Sequence, residues 1–383
     1  MLPYWRLSAY YFFYFAFIGA FAPYFGLYLE SIEFSAWDIG LVMSLMQLMR
    51  IVAPNLWGWM ADRFGMRMPI VRLAALFSTL GFCLFFASRE FAAVFAAMAL
   101  MSFFWSAALP LIESLTLRHL GARIARYGAI RLWGSIGFIV AVTATGWLLD
   151  ALPISSLLVV CLSILAGILV CAMFVPEAPA GALAHSADSL RSLLERAEVR
   201  ALLGACFLMS AAHGALYVFY SIYLVDNGYA KSVVGGMWTV GVLAEIVVFI
   251  YMPALMARYS LRAILMASFA CAVVRFLMIG WGVESTLILF LAQLLHGATF
   301  GAYHAAALSA INRLFVGRHQ TRGQALYSSV SFGAGGMVGG LISGWAWESI
   351  GAALTYSLSA AIAALGLGLV AFAGHGQAAA EAR

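Results

Sequence analysis

The chain has 383 residues, of which 64% are hydrophobic and only 10% are charged. Soluble domains carry roughly 25% charged residues, so this composition excludes a water-soluble globular protein, and its hydrophobicity also excludes intrinsic disorder. The formal net charge of +5 comes from scattered arginines without a basic run, which argues against nucleic-acid binding. The composition therefore predicts an integral membrane protein that has the lipid bilayer as its surroundings.

Apolar segments separated by short polar turns follow one another along the whole chain. A membrane-spanning helix needs about 20 mostly apolar residues, whereas barrel strands are shorter and alternate apolar with polar residues. These segments do not alternate, so we expect an all-α membrane protein with twelve transmembrane helices. The predicted helices cover 4–29, 37–61, 68–87, 91–117, 128–149, 153–175, 201–225, 232–256, 263–283, 286–312, 323–347 and 351–373.

The positions of the basic residues orient these helices. If the N-terminus is cytoplasmic, sixteen arginines lie in cytoplasmic segments and helix ends, and only Arg89 and Lys231 lie on the opposite side. Such an excess of basic residues marks the cytoplasmic face of a membrane protein. We therefore predict that both termini are cytoplasmic.

The chain also divides into two similar halves. At a shift of 195 residues Arg63 matches Arg258 and Arg67 matches Arg262, in a register that holds over more than a hundred residues. Parallel six-helix halves are typical of secondary transporters, whose substrate site lies near the midplane. We predict two pseudo-symmetric six-helix bundles, at 1–175 and 201–383, joined by a cytoplasmic central loop at 176–200.

Five charged residues remain inside the predicted spans: Arg50, Glu113, Arg131, Glu245 and Arg275. A charge at the centre of a spanning helix costs at least ~2.5–3.5 kcal/mol, so each is a functional candidate. Glu113 and Arg131 flank the same turn symmetrically and should lie at one depth. Glu245 has two possible partners. Arg275 should lie at the same depth on the next helix of the hairpin, and the 195-residue repeat places Arg50 opposite Glu245. Structural ion pairs are the alternative interpretation, and the excess of one arginine suits an anionic substrate.

Three histidines also lie in predicted spans, namely His213 on the seventh helix and His296 and His304 on the tenth. Histidine titrates near physiological pH, so these side chains could bind substrate or relay protons. The alternative is that they are hydrogen-bonded packing residues. No carboxylate or cysteine completes a set of metal ligands on their faces, and neither a metal nor a cofactor is expected.

Aromatic side chains form a further candidate set. Trp238 lies on the same face of the eighth helix as Glu245, and Tyr28 and Tyr223 belong to the aromatic-rich first and seventh helices. Inward-facing rings could stack on an aromatic or sugar ring of a substrate. Rings that face outward would instead anchor the protein at the membrane interface.

The loop after the second helix reads Gly58-Trp59-Met60-Ala61-Asp62-Arg63-Phe64-Gly65-Met66-Arg67. This stretch resembles the G-x-x-x-D-R-x-G-x-R signature of the major facilitator superfamily. Asp62 in such a loop can pair with an arginine or a helix N-terminus in one conformation and release it in the other. The resemblance implies a conformational latch, whose predicted residues are Gly58, Asp62, Arg63, Gly65 and Arg67.

A finer resemblance runs through helices four and five. The stretches 110–113 and 127–135 are similar to the lactose permease branch, where a helix-4 glutamate and a helix-5 arginine bind the sugar; Glu113 and Arg131 match those positions. Further matches resemble most closely the 3-phenylpropionate transporter group of this branch. They lie at 212–213, 242–246, 274–275, 295–300 and 304. The lysine, histidine and glutamate set that the lactose permease uses on helices 9 and 10 is absent, which weakens a sugar assignment.

The resemblance implies a secondary active transporter of the bacterial inner membrane. It would take up a small aromatic carboxylate such as 3-phenylpropionate together with a proton, by alternating access and as a monomer. The expected substrate-binding residues are Arg50, Glu113, Arg131, Trp238, Arg275, His304, Tyr28 and Tyr223. The expected proton-coupling residues are Glu245, Glu113, His213 and His296.

Two other transporter functions stay open at this stage. One is a proton symporter for a sugar or a nucleoside, and the other is efflux of drugs or metabolites, which usually favours cations and is disfavoured by three arginines. An enzyme is not expected, because the spans contain no nucleophile or metal constellation. Nucleotide-driven transport by this chain alone is not expected either, because it has no phosphate-binding P-loop.

Overall fold

The computed structural model describes residues 2–178, 191–316 and 319–373, and every regular element in these ranges is helical. Twelve helices are long and apolar enough to cross a membrane, which confirms the predicted fold class. These spans are α1 (Tyr4–Ser31), α2 (Ala36–Ala61), α3 (Met68–Phe86), α4 (Phe91–Leu120), α5 (Tyr127–Ala151), α6 (Ser156–Phe174), α7 (Ala197–Asp226), α8 (Lys231–Arg258), α9 (Leu261–Trp281), α10 (Thr286–Leu314), α11 (Arg322–Ile350) and α12 (Ala352–Phe372).

Local sequence sets several helix ends. The Ser35 side chain accepts the backbone N–H of Asp38, and the Asp38 carboxylate accepts the N–H of Ser35, which is a capping box at the start of α2. The same helix continues past the span to Phe64 and ends at Gly65, whose φ of 68° places it in the left-handed region that glycine adopts without strain.

Two compact units make up the chain. The first unit contains Met1–Leu183 and Gly228–Gly236, and the second contains Ala184–Asn227 and Met237–Arg383. The start of α8 groups with the first unit because the Asp150 carboxylate accepts the backbone N–H groups of Lys231 and Ser232, at 2.7 and 3.2 Å. Much of the predicted central loop, 179–190, lies outside the described residues.

The same helix pairs pack together in each unit. In the first unit α1 packs against α5 and α6, and α3 packs against α4 and α6. In the second unit α7 packs against α11 and α12, and α9 packs against α10 and α12. Each of these second-unit pairs is the named first-unit pair advanced by six helices, so this part of the packing follows the internal repeat of the sequence.

An arginine on the third helix of each unit binds the end of the sixth helix. Arg72 Nε donates to the carbonyl of Ala172 at 3.1 Å, and Arg262 Nε donates to the carbonyl of Val370 at 3.3 Å. The last carbonyls of a helix have no partner within the helix, so each arginine satisfies an acceptor that would otherwise lack one.

The second unit contains three interruptions of regular α-helix. Its α7 consists of Ala197–Ala212 and Gly214–Asp226, separated at His213. Its α10 and α11 contain π-helical turns over Gly297–Ala302 and Ser329–Gly335. π-Helical turns occur frequently at functional sites. No such turn occurs in the part of the first unit that the structure describes.

The break in α7 coincides with a backbone contact to α11. A Cβ atom added to Gly339 would lie 2.4 Å from the carbonyl oxygen of Ala211, and one added to Gly214 would lie 2.2 Å from the carbonyl carbon of Gly339. Both distances are far below van der Waals contact, and the obstructing atoms are backbone. The two helices can therefore approach this closely only with glycine at these positions.

Gly339→Ala is expected to destabilise the protein, because α7 and α11 must separate to admit the methyl group. Overpacking of this kind costs about 1–3 kcal/mol, which should lower the melting temperature in detergent by several degrees. Gly236→Ala is the matched control, since no atom lies within 4 Å of its added Cβ. Equal melting temperatures for the two variants would show that the α7–α11 contact yields without cost.

Candidate functional site

The first unit brings Glu113 of α4 and Arg131 of α5 together, as their symmetric positions about the turn predict. Arg131 Nε lies 3.9 Å from Glu113 Oε1, and the two side chains are 33% and 38% exposed. This distance exceeds the 2.7–3.2 Å of a good N–H···O hydrogen bond. The Tyr127 hydroxyl donates to Glu113 Oε1 at 3.4 Å. The pair is therefore loose and accessible, and the guanidinium N–H groups have capacity for another acceptor.

Aromatic side chains of α1 and α4 line the same region. The Arg131 guanidinium lies over the ring of Phe15, and Phe15 meets the ring of Tyr14 edge-on at 5.3 Å. Tyr14 in turn stacks on Trp105 at 4.7 Å with an angle of 7° between the ring planes. This set combines a cation with flat apolar surfaces. Phe15 is not recognisable as a site residue from the sequence. Tyr127 is, because it lies one helical turn before Arg131.

Arg50 lies half-buried on α2 of the first unit. It forms no ion pair with the carboxylates among the described residues. It is thus a second cationic side chain in this unit that could receive an anion.

Arg275 of α9 is fully buried in the second unit, and all of its described hydrogen bonds reach α10. Nε donates to the carbonyl of Ala292 at 3.0 Å, Nη1 to Thr299 Oγ1 at 3.1 Å, and Nη2 to Gln293 Oε1 at 3.0 Å. Of the two partners considered for Glu245, Arg275 is therefore engaged with other groups in this structure. The reason is that the adjacent helix of the hairpin supplies three neutral acceptors within reach of one guanidinium.

Glu245 of α8 instead contacts His296 of α10. Glu245 Oε2 lies 3.9 Å from His296 Nε2, and His296 is only 6% exposed. Glycines allow the two helices to approach, because a Cβ added to Gly301 would already touch Glu245 Cγ at 3.3 Å. The structure thus joins two of the predicted proton-coupling residues.

A column of stacked rings extends along α10 from this carboxylate. His296 stacks on Phe300 with ring centroids 5.5 Å apart, and Phe300 stacks on His304 at 6.0 Å. His304 Nδ1 lies 2.9 Å from the hydroxyl of Tyr327 on α11. The π-helical turn over Gly297–Ala302 lies between the two histidines. The predicted substrate residue His304 is therefore connected with the proposed proton residue His296 through a single ring.

His213 lies at the break of α7 and is 3% exposed. Its Nδ1 donates to the carbonyl of Met209 at 2.8 Å, so in the neutral ring Nε2 carries no proton. Nε2 is buried without a hydrogen-bond partner in the described residues, and the ring meets Phe276 edge-on at 5.0 Å. The ring is thus held by the carbonyl of Met209 and keeps one buried acceptor.

The predicted aromatic residues take different places. Trp238 is 7% exposed, stacks with Tyr217 at 6.2 Å, and donates from Nε1 to Ser221 Oγ at 3.3 Å. The hydroxyl of Tyr223 donates to the carbonyl of Gly280 at 2.9 Å, so it is engaged within its own unit. Tyr28 is buried and packs against Phe25. Trp238 is the member of this set that lies on the Glu245 face of α8.

A carboxylate from outside the predicted latch residues binds the end of the latch loop. Glu177 Oε2 accepts the backbone N–H groups of Arg67 and Met68 at 2.8 and 2.7 Å, which places a negative charge at the N-terminus of α3. The Arg67 side chain is buried and donates from Nε to Ser114 Oγ at 3.1 Å. Glu177 follows Pro176 in the predicted central loop, and only the fold brings it to α3.

The other latch residues lie at the end of the second helix. Arg63 is exposed with its guanidinium 5.8 Å from the ring of Trp59, and Gly65 adopts the left-handed turn conformation. Gly58 has open space around its Cα. The Asp62 side chain lies outside the described residues, so the pairing predicted for it stays a prediction.

A family model with the description "MFS_1 like family" matches residues 4–358 of the chain. The chain belongs to this family of the major facilitator superfamily. This membership confirms the predicted family and makes the protein a transporter of a small-molecule substrate rather than an enzyme. With its twelve spans, the transporter is a multi-pass membrane protein.

Two curated relatives of this transporter are 30% identical to it. One is the "Probable 3-phenylpropionic acid transporter" of Escherichia coli (strain K12), aligned over 349 residues that cover 89% of this chain and 90% of the relative. The other is the "Maltose permease" of Geobacillus stearothermophilus, aligned over 372 residues that cover 94% and 93%. The chain also superimposes on a crystal structure of a mutant of the nucleoside transporter NupG with a TM-score of 0.86 and 17% identity, covering 97% of this chain and 99% of that chain. That likeness shows the fold alone.

Proposed function

We propose that this transporter takes up a small aromatic carboxylate, with 3-phenylpropionate as the model substrate, together with a proton. The observation that carries the proposal is the loose Glu113–Arg131 pair at 3.9 Å beside aromatic rings. A guanidinium presents planar N–H donors that match a carboxylate, while flat rings match an aromatic group. The name of the Escherichia coli relative supports the same substrate class. The bacterial relatives support a place in the bacterial inner membrane.

The charge balance of the spans favours an anion. Arg131 has N–H capacity beyond Glu113, and Arg50 forms no ion pair with a described carboxylate. An incoming carboxylate would therefore find cations whose charge is not already neutralised at hydrogen-bond distance. In our proposal Arg131 is the anchor, Arg50 assists, and Glu113 competes with the substrate for Arg131.

We further propose that the Glu245–His296 pair carries the coupled proton. The two groups lie 3.9 Å apart in a buried part of the second unit, and His213 supplies another buried ring nitrogen. Protonation of this pair would change the charge of the unit and so bias the balance between the two access states. The contact between the Arg67 backbone N–H and the Glu177 carboxylate would then form in one state and break in the other.

The decisive experiment uses the purified transporter in proteoliposomes with an inward-directed proton gradient. Uptake of labelled 3-phenylpropionate should exceed that of protein-free liposomes under the same gradient, because the undissociated acid also crosses lipid by itself, and a protonophore should abolish the excess. Uptake that equilibrates but never accumulates would reject proton coupling. Absence of any saturable uptake of the acid would reject the substrate class.

A sugar or nucleoside symporter is the second candidate, because a glutamate and arginine pair can also bind hydroxyl groups. The maltose permease relative favours its inclusion. Competition in one uptake assay separates the candidates. We expect 3-phenylpropionate to compete and maltose, lactose and uridine to have no effect, because neutral polyols gain nothing from an arginine in excess.

A further inference from the structure

α1 contributes an aromatic ring to the Arg131 site. The guanidinium carbon Cζ lies 3.9 Å from the centroid of the Phe15 ring, and 5.8 Å from that of Tyr11. A cation within about 6 Å of a ring face is attracted by the negative π-face. The contact with Phe15 is therefore at stacking distance. Glu113, in contrast, stands 3.9 Å from Nε, which is too far for a good hydrogen bond.

Gly134 makes space for this stack. It lies one helical turn after Arg131 on α5, and a Cβ added to it would come 2.7 Å from Phe15 Cδ2 and 2.8 Å from Arg131 Nη1. Both obstructing atoms belong to side chains that can move, so a methyl group here should displace the ring or the guanidinium without breaking the helix. Gly128 on the same helix has no atom within 4 Å of its added Cβ.

We propose that Phe15 is a positioning residue that sets the specificity of this transporter for carboxylates, with Gly134 providing the space that the stack requires. The ring covers one face of the Arg131 guanidinium and holds it away from Glu113. The N–H donors lie in the guanidinium plane and stay available at its edge for a substrate carboxylate. This inference rests on the proposed function, because it concerns how the same arginine selects its ligand.

The alternative arrangement explains why the ring matters. Without Phe15, the guanidinium can turn towards Glu113 and close the ion pair at hydrogen-bond distance. In the closed pair Glu113 occupies the N–H donors of the guanidinium and screens its charge, so the site would lose its preference for an anion. A neutral analogue such as 3-phenylpropionamide gains little from the cation in either arrangement. The ratio of acid to amide affinity therefore reports the position of the guanidinium rather than the general integrity of the site.

The test measures 3-phenylpropionate uptake by full-length variants in proteoliposomes, with 3-phenylpropionamide as a competing inhibitor. Phe15→Leu should raise KM for the acid about 2- to 30-fold, the range of a cation–π contact, with unchanged Vmax and amide inhibition. Gly134→Ala should act in the same direction, and Phe15→Trp should retain the wild-type KM. The matched controls are Phe13→Leu and Gly128→Ala, and both should behave as wild type. The native Phe13 ring packs on Gly167, and Gly128 has open space around an added Cβ.

A second substitution separates positioning from packing. In the Glu113→Gln background no carboxylate remains to capture Arg131, so Phe15→Leu should have little further effect on KM. An unchanged KM in Phe15→Leu, or a Phe15→Trp variant as defective as Phe15→Leu, would overturn the inference while leaving the proposed function in place. Failure of the wild-type protein to take up the acid would instead reject the proposed function, and this inference with it.

Discussion

Glu245→Gln is expected to abolish proton-driven accumulation of substrate while leaving counterflow exchange intact. Glutamine keeps the shape of the side chain beside His296 but cannot bind and release a proton. Transporter-dependent accumulation needs the coupled proton, so it should be lost: uptake under a proton gradient should fall to the level of protein-free liposomes. Counterflow needs no net proton movement, and its rate should be retained. The measurement is the ratio of gradient-driven uptake to counterflow in the same proteoliposomes.

The control for this prediction is Glu284→Gln, an equivalent substitution at an exposed position between α9 and α10. It should accumulate substrate as the wild type does. A Glu245→Gln variant that still accumulates substrate against its gradient would remove Glu245 from the proton route. Loss of both accumulation and counterflow would indicate a role in substrate binding or folding instead of coupling.

Arg131→Gln is expected to produce the largest loss of substrate affinity. Glutamine can still hydrogen-bond but carries no charge. Truncating one partner of a hydrogen-bonded charge pair, here the proposed pair of Arg131 with the bound substrate carboxylate, costs about 2–5 kcal/mol. KM for the acid should therefore rise by roughly 30-fold or more, since each 1.4 kcal/mol is a factor of ten. Arg131→Lys should be intermediate, because an ammonium keeps the charge but not the planar fork that stacks on Phe15.

Arg126→Gln provides the matched control, because Arg126 is exposed in the short 3₁₀ turn that precedes α5. Its KM should equal that of the wild type. Variants should be compared only after gel filtration in detergent shows the same monodisperse profile. A folded Arg131→Gln protein with normal affinity for the acid would identify Arg50 as the more important anchor.

Much of the fold could be predicted because its strongest determinants are local. Each spanning helix is specified by about 20 consecutive apolar residues, whatever its neighbours are. The hairpin geometry is almost as local, which is why Glu113 and Arg131 could be placed at one depth before their contact was known. The repeat of 195 residues likewise predicted that helix pairs of the first unit recur in the second.

The partners of buried charges could not be predicted in the same way. The pairing of Glu245 with Arg275 was a reasonable expectation from depth, yet Arg275 binds the neutral groups of Ala292, Gln293 and Thr299. Depth restricts which residues can meet, but the rotation of each helix about its axis decides which do. That rotation is set by close packing at small residues such as Gly301. It also depends on all the neighbouring side chains together.

The sequence by itself determined the membrane location, the twelve spans, the family and the short list of charged residues inside the bilayer. Hydropathy and charge spacing are sufficient for these properties, because water and lipid act on each segment separately. Only the tertiary structure decided that Phe15 stacks on Arg131, that His296 accompanies Glu245, and that Glu177 caps α3. Each of these contacts joins residues that are far apart in the sequence, and a contact of that kind exists only after the helices have packed.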